Sequence, residues 1–289
     1  MSRHTTFEVG GPAEVYVRPA AVGDVQTVVR RAREHAAPIF VLGGGSNILV
    51  SDRGVRGIVM DMRGFSGTHQ EGNRFVAEAG LPISDAAERA ADGGLGGLHF
   101  LYSMPGSVGG AVWMNARCYG SSIVDVLSEV HLVDETGQAE VYRPREGDFG
   151  YKLSPFQSRR AVIIDAAFTL EPADPASLRE EMRRFYSDRE GKGHFAAPSA
   201  GSVFKNNRDF GSPTGAIIDT LGLRGHQIGG ARISDRHANI IINTGNATAT
   251  DILRLIELVE RRVRVELGFE LEREVLLVGD WEAEHAVTG

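Results

Sequence analysis

Residues 42–52 read Leu-Gly-Gly-Gly-Ser-Asn-Ile-Leu-Val-Ser-Asp. Three consecutive glycines leave no Cβ between the backbone and whatever approaches it. Such a backbone can take positive φ and turn its N–H groups toward a bulky anion such as a pyrophosphate. The flanks narrow the choice. Pro38 to Leu42 reads as a short buried strand leading in, and Ile48-Leu49-Val50 as a β-prone run leading out, stopping at Ser51-Asp52. A Rossmann fingerprint needs a third glycine where Ile48 stands, with a helix opening inside the motif. A Walker loop needs Gly-Lys before Ser or Thr, yet Gly191-Lys192 is followed by Gly193. Taken alone, the triplet is read equally well as a surface turn between two strands.

A second glycine-rich stretch shifts that balance. From Gly94 to Ala116 the chain carries Pro105-Gly106-Ser107, which turns it, and Gly109-Gly110, which can open a short helix with free N–H groups toward a phosphate. Two such segments roughly 60 residues apart suit an extended dinucleotide lying between two subdomains.

The rest of the chain sets limits. A net charge of −7 argues against non-specific binding to nucleic acid or membrane. No apolar run approaches the ~20 residues that span a bilayer, and the first residues lack the apolar stretch of a signal peptide. The single cysteine, Cys118, excludes an internal disulfide framework. The expected compartment is the cytoplasm. Histidines and carboxylates show no metal-ligand spacing, so no metal cofactor is expected. Of 31 basic residues only Lys152, Lys192 and Lys205 are lysines.

Periodicity predicts strands at 14–18, 57–61, 74–78, 126–131, 161–170 and 238–243. It predicts helices at 24–35, 84–92, 176–189, 213–221 and 250–267, and Glu171 to Pro175 reads as a linker because its prolines and charges stop any ladder. Mixed elements without a regular βα repeat indicate an α+β fold. The expected parts are 1–61 and 62–173, two α/β subdomains, then a C-terminal α/β part, 174–289.

At this point the chain resembles the UDP-N-acetylenolpyruvoylglucosamine reductase family, whose members are also called UDP-N-acetylmuramate dehydrogenase or MurB. The resemblance lies in His4 to Ala13, Leu42 to Asp52, Met104 to Ala116, Phe149 to Phe156, Pro198 to Asn206, Ile228 to Ala231, His237 to Asn239 and Leu271 to Val275, in order from residue 4 to about 279. It implies the FAD-binding fold of vanillyl-alcohol-oxidase-type flavoenzymes, with cofactor binding in 1–61 and 62–173, followed by a substrate-binding domain, 174–289. It implies tightly bound FAD and NADPH as reductant. The reaction implied is reduction of UDP-N-acetylglucosamine enolpyruvate to UDP-N-acetylmuramate, a step of peptidoglycan precursor synthesis. The short length suggests the form lacking an extra tyrosine loop, and a leading helix of many relatives is expected to be absent before His4. A monomer is expected.

That reaction sends a hydride to the terminal enolpyruvyl carbon and a proton to its neighbour, through an enolate-like species. The resemblance makes Ser202 the proton donor, although a serine after glycine is otherwise an ordinary turn residue. It makes Glu274 the catalytic carboxylate, expected to be protonated or hydrogen-bonded to a cation because a bare carboxylate would repel the enolate. Lys152 departs from the family, which usually has arginine after the tyrosine; it supplies charge without a planar fork. FAD is assigned to Gly43, Gly44, Gly45, Ser46, Asn47, Ser107, Val108, Gly109, Gly110 and Asn115. Tyr119, Lys205, Asn206, Arg224 and Gln227 are the candidates around the UDP and sugar; each has the alternative of a solvated loop residue. His237 is either substrate-facing or structural. Two other readings stay open: a different FAD oxidoreductase of this fold acting on an alcohol or sugar, and a sensor that has lost its chemistry.

Overall fold

The computed structural model of the chain describes residues 1–281. These residues form two compact units that interleave along the chain. One contains Val15–Gly44 and Gly57–Asp188; the other contains Met1–Glu14, Gly45–Arg56 and the chain from Arg189 onward. The expected parts 1–61, 62–173 and 174–289 follow chain order, whereas the compact units return to the N-terminal residues.

In the first unit, a five-stranded antiparallel sheet runs in the order Ala139–Tyr142, Leu127–Val133, Val162–Thr169, Arg74–Glu78 and Thr68–Glu71. Helix α1 (Val22–Glu34) lays Val25 and Val29 against Met60, Met62, Val133, Val162 and Ile164. Helix α2 (Ile83–Asp92) is rich in alanine along its buried face, so it packs closely under the short helix α3 (Val108–Trp113) and Phe168. Helix α4 (Pro175–Gly191) docks Leu178 and Met182 on Ala91.

The other unit holds a four-stranded antiparallel sheet, Ser199–Ser202, Ile240–Asn243, Ala231–Ile233 and Gln227–Ile228. Helices α5 (Thr214–Thr220) and α6 (Ala249–Leu267) share one core with it. The α6 stripe of Ile252, Leu255, Ile256, Val259 and Val263 is buried, as its period predicts. Its start is fixed by a capping box between Thr248 and Asp251 and its end by left-handed Gly268. No described helix is long and apolar enough to cross a membrane.

Two sequence readings are corrected. Glu171–Pro172 is no linker: it pairs with Leu95–Gly96, and the Ala173 N–H continues the pairing to the Gly94 carbonyl. A proline is tolerated there because the ladder is a two-stranded edge. Ile39–Leu42 is an outer strand of a three-stranded sheet; only Leu42 is buried and Val41 is exposed.

Candidate active site

The glycine tract is positioned residue by residue. Gly43 and Gly44 lie against the second glycine segment. A Cβ on Gly43 would overlap the Ser107 hydroxyl, and one on Gly44 would sit 2.6 Å from the Gly106 Cα. These two glycines therefore serve close backbone approach, and only Gly45 takes a positive φ, +65°. The two glycine segments that the sequence suggested as a pair are packed together here.

The second segment corrects its expected role. The first N–H groups of α3 are engaged: Val108 donates to Leu81, Gly109 to Ala79, and Gly110 to the Ser107 hydroxyl at 3.3 Å. Helix α3 is thus capped and bonded internally, with the Val108 side chain in the core. Gly43, Gly44 and Gly45, by contrast, donate none of the turn and loop backbone hydrogen bonds among the described residues. Asn115, buried and left-handed at φ +45°, donates its amide to the Gly150 carbonyl at 2.7 Å, while its Oδ1 has no partner. A tract without Cβ atoms at one end of α3 and an orphaned buried amide oxygen past its other end each fit a large polar cofactor.

Beyond Gly45 the tract serves the other unit. The Asn47 amide donates to the Glu274 carbonyl at 2.9 Å, and Ile48–Val50 pairs in parallel with Leu276–Val278. Asp52 ends the motif at the start of α6, accepting from the N–H groups of Ala249 (2.8 Å) and Thr250 (2.9 Å). An anion at a helix N-terminus satisfies orphan donors and complements the helix dipole.

Ser202 ends a strand whose register slips between Ser199 and Ser202, with Gly201 at φ +70°. Such a bulge re-aims the side chain that follows it. The Glu274 N–H donates to the Val203 carbonyl at 2.7 Å, and Phe204 bridges Arg273. Ser202 and Glu274 therefore belong to neighbouring backbone segments. Buried Asn239 fixes this junction: its amide accepts from the Phe204 N–H and donates to the Phe204 carbonyl.

Lys152 lies in the turn Gly150–Leu153, whose end residues exchange hydrogen bonds of 3.1 and 3.2 Å. Its φ of +57° is the left-handed region that glycine or asparagine normally occupies at this turn position.

Two domain models match this chain: an FAD binding domain over residues 13–142, and the UDP-N-acetylenolpyruvoylglucosamine reductase C-terminal domain over residues 193–278. Proteins named UDP-N-acetylenolpyruvoylglucosamine reductase from Shouchella clausii and Heliobacterium modesticaldum are 39 % and 40 % identical. Each alignment covers 97 % of this chain and 89 % of the relative. The crystal structure of the Thermus caldophilus reductase (MurB) superposes with a TM-score of 0.82 at 34 % identity, covering 96 % of each chain. The chain belongs to the UDP-N-acetylenolpyruvoylglucosamine reductase family.

The remaining candidates carry internal partners. Lys205 Nζ meets Glu272 Oε1 at 2.6 Å. Asn206 Oδ1 accepts from the Thr214 N–H at the start of α5. Arg224 pairs with Asp219 at 2.5 Å, and the exposed Gln227 donates to the Gly229 carbonyl. Tyr119 stacks on Phe185 with its hydroxyl 2.9 Å from Asp188 Oδ2. Half-buried His237 was left open by the sequence. Burial holds its pKa below the ordinary histidine value, and the positive charges of Lys192 and Arg224 add to the effect. Lys192 and Arg224 thus lie near His237, and Lys192 was missed as a candidate. Its signal in the sequence was rarity, one of three lysines among 31 basic residues.

Proposed function

We propose that the protein catalyses the FAD-dependent, NADPH-driven reduction of UDP-N-acetylglucosamine enolpyruvate to UDP-N-acetylmuramate, in the cytoplasm. The observation that carries the reading is the junction of Ser202 with the Glu274 segment, in a chain matching this family along nearly its whole length.

Gly43 to Asn47, with Asn115, would hold the cofactor. Bound FAD supplies the hydride chemistry. Ser202, re-aimed by the bulge at Gly201, holds the proton that goes to the carbon beside the substrate carboxylate. Lys152 offers a cation to that carboxylate as charge develops on it, which favours the transition state over the ground state. Glu274, fixed by Asn47 and Val203 through its backbone, is the second acid–base group of the set. Lys192 and Arg224, the two cations near His237, form a basic group suited to a diphosphate.

The half-reactions test this. In Ser202→Ala, NADPH should reduce the flavin at the wild-type rate, while reoxidation by the enolpyruvyl substrate slows by about 100-fold or more, as expected for loss of one general acid. Equal slowing of both half-reactions would reassign Ser202 to folding or flavin binding.

A further inference from the structure

The Gly150–Leu153 turn does not hold Lys152 by itself. A lysine in the left-handed region is disfavoured relative to glycine, so neighbouring contacts must over-determine the conformation. Those contacts come from the C-terminal end of α3 and from two side chains just past the turn. Asn115 fastens the Gly150 carbonyl, and the Ser154 hydroxyl donates to the Trp113 carbonyl at 2.6 Å. Gln157 does more. Its amide nitrogen donates to the Lys152 carbonyl and to the Trp113 carbonyl, each at 3.0 Å. A carboxamide has two N–H donors, enough to serve both carbonyls. Trp113 closes α3, so its carbonyl is among those that the helix leaves without an intrahelical partner. Gln157 thus ties the peptide of Lys152 directly to α3, the helix whose other end packs under the glycine tract.

We propose that Gln157 is a positioning residue for Lys152: it locks the left-handed turn so that the ammonium is presented in one place. The inference rests on the reading of Lys152 as the cation facing the substrate carboxylate. Gln157 touches neither substrate nor cofactor in this scheme. Its effect on turnover passes through Lys152 alone, because a loosened turn spreads the ammonium over several positions and weakens transition-state stabilisation.

A double-mutant cycle tests the coupling. NADPH-reduced holoenzyme is mixed anaerobically with saturating UDP-N-acetylglucosamine enolpyruvate and flavin reoxidation is timed. The four proteins are wild type, Gln157→Leu, Lys152→Ala and the double variant. Gln157→Leu should slow reoxidation about tenfold, the worth of one such hydrogen bond. In the Lys152→Ala background the same change should alter the rate less than about twofold, because its target is gone. An equal factor in both backgrounds, or no slowing in the first, refutes the positioning role. Lys152→Ala reoxidising at the wild-type rate refutes instead the assignment of Lys152. If Gln157→Leu is purified without flavin, Gln157→Glu takes its place: it keeps the shape but presents acceptors to two carbonyls. Wild-type reoxidation by Gln157→Glu would show that the donors are not needed.

Discussion

At the scale of single residues, the role proposed for Lys152 and the stability of its turn pull in opposite directions. Its left-handed backbone costs a non-glycine residue about 1–2 kcal/mol. Lys152→Gly should therefore raise the unfolding free energy in urea by about 1 kcal/mol, after allowing for the looser unfolded chain. The same variant should reoxidise with substrate about 10- to 100-fold more slowly, the worth of a charge-assisted contact of 1.5–3 kcal/mol. A stability unchanged or lowered would mean that the turn stores no strain at this position. Ser202, Glu274 and Lys152 could be proposed from the sequence because each sits in a motif. Their supports were not. Asn47 holds the Glu274 carbonyl from 227 residues away in the chain, and Asn239 clamps Phe204 from 35 away. Separations of that kind leave no local pattern to read.

At the scale of elements, the glycine tract and α3 form the part most open to test. Gly43→Ala forces its methyl into the Ser107 hydroxyl, so the α3 cap or the tract must move. Purified Gly43→Ala should carry much less flavin per chain. Adding Ser107→Ala should restore most of it, since the Ser107 Cβ stands 3.4 Å from the new methyl, an ordinary contact. The rescued protein would still lack an N-cap, a loss of about 1 kcal/mol. If Ser107→Ala fails to rescue, the close approach is not what requires glycine there. Asp52→Ala should destabilise the unit built on α6 by about 1–2 kcal/mol in urea without changing bound flavin. An unchanged midpoint would deny Asp52 its capping role. Helices were read well from the sequence, since α1, α2 and α6 carry clean periods. The pairing of Pro172 and the exposure of Val41 were not legible, because both depend on which strand lies at an edge.

At the scale of the whole molecule, the interleaving of the two units was hidden from the sequence. Composition and periodicity report along the chain, whereas Met1–Glu14 and Gly45–Arg56 join the C-terminal unit through pairings such as Ile48–Val50 with Leu276–Val278. The pH response also belongs here. His237 has a folded pKa below its unfolded value of about 6.5. Below that value the unfolded chain binds the proton more readily, so stability is full above about pH 6.5 and declines as pH falls toward the folded pKa. Wild type should therefore lose more stability than His237→Gln between about pH 7.5 and 5.5, measured by urea midpoints. Equal losses would mean that His237 titrates as it does in the unfolded chain. The central claim is that the protein is a flavin reductase acting on an enolpyruvyl ether. Anaerobic spectra of the purified protein decide it. NADPH should bleach the yellow flavin absorbance, and one equivalent of UDP-N-acetylglucosamine enolpyruvate should restore it with formation of UDP-N-acetylmuramate. A flavin that bleaches but stays reduced after the substrate is added, or a protein purified without flavin, would contradict the account.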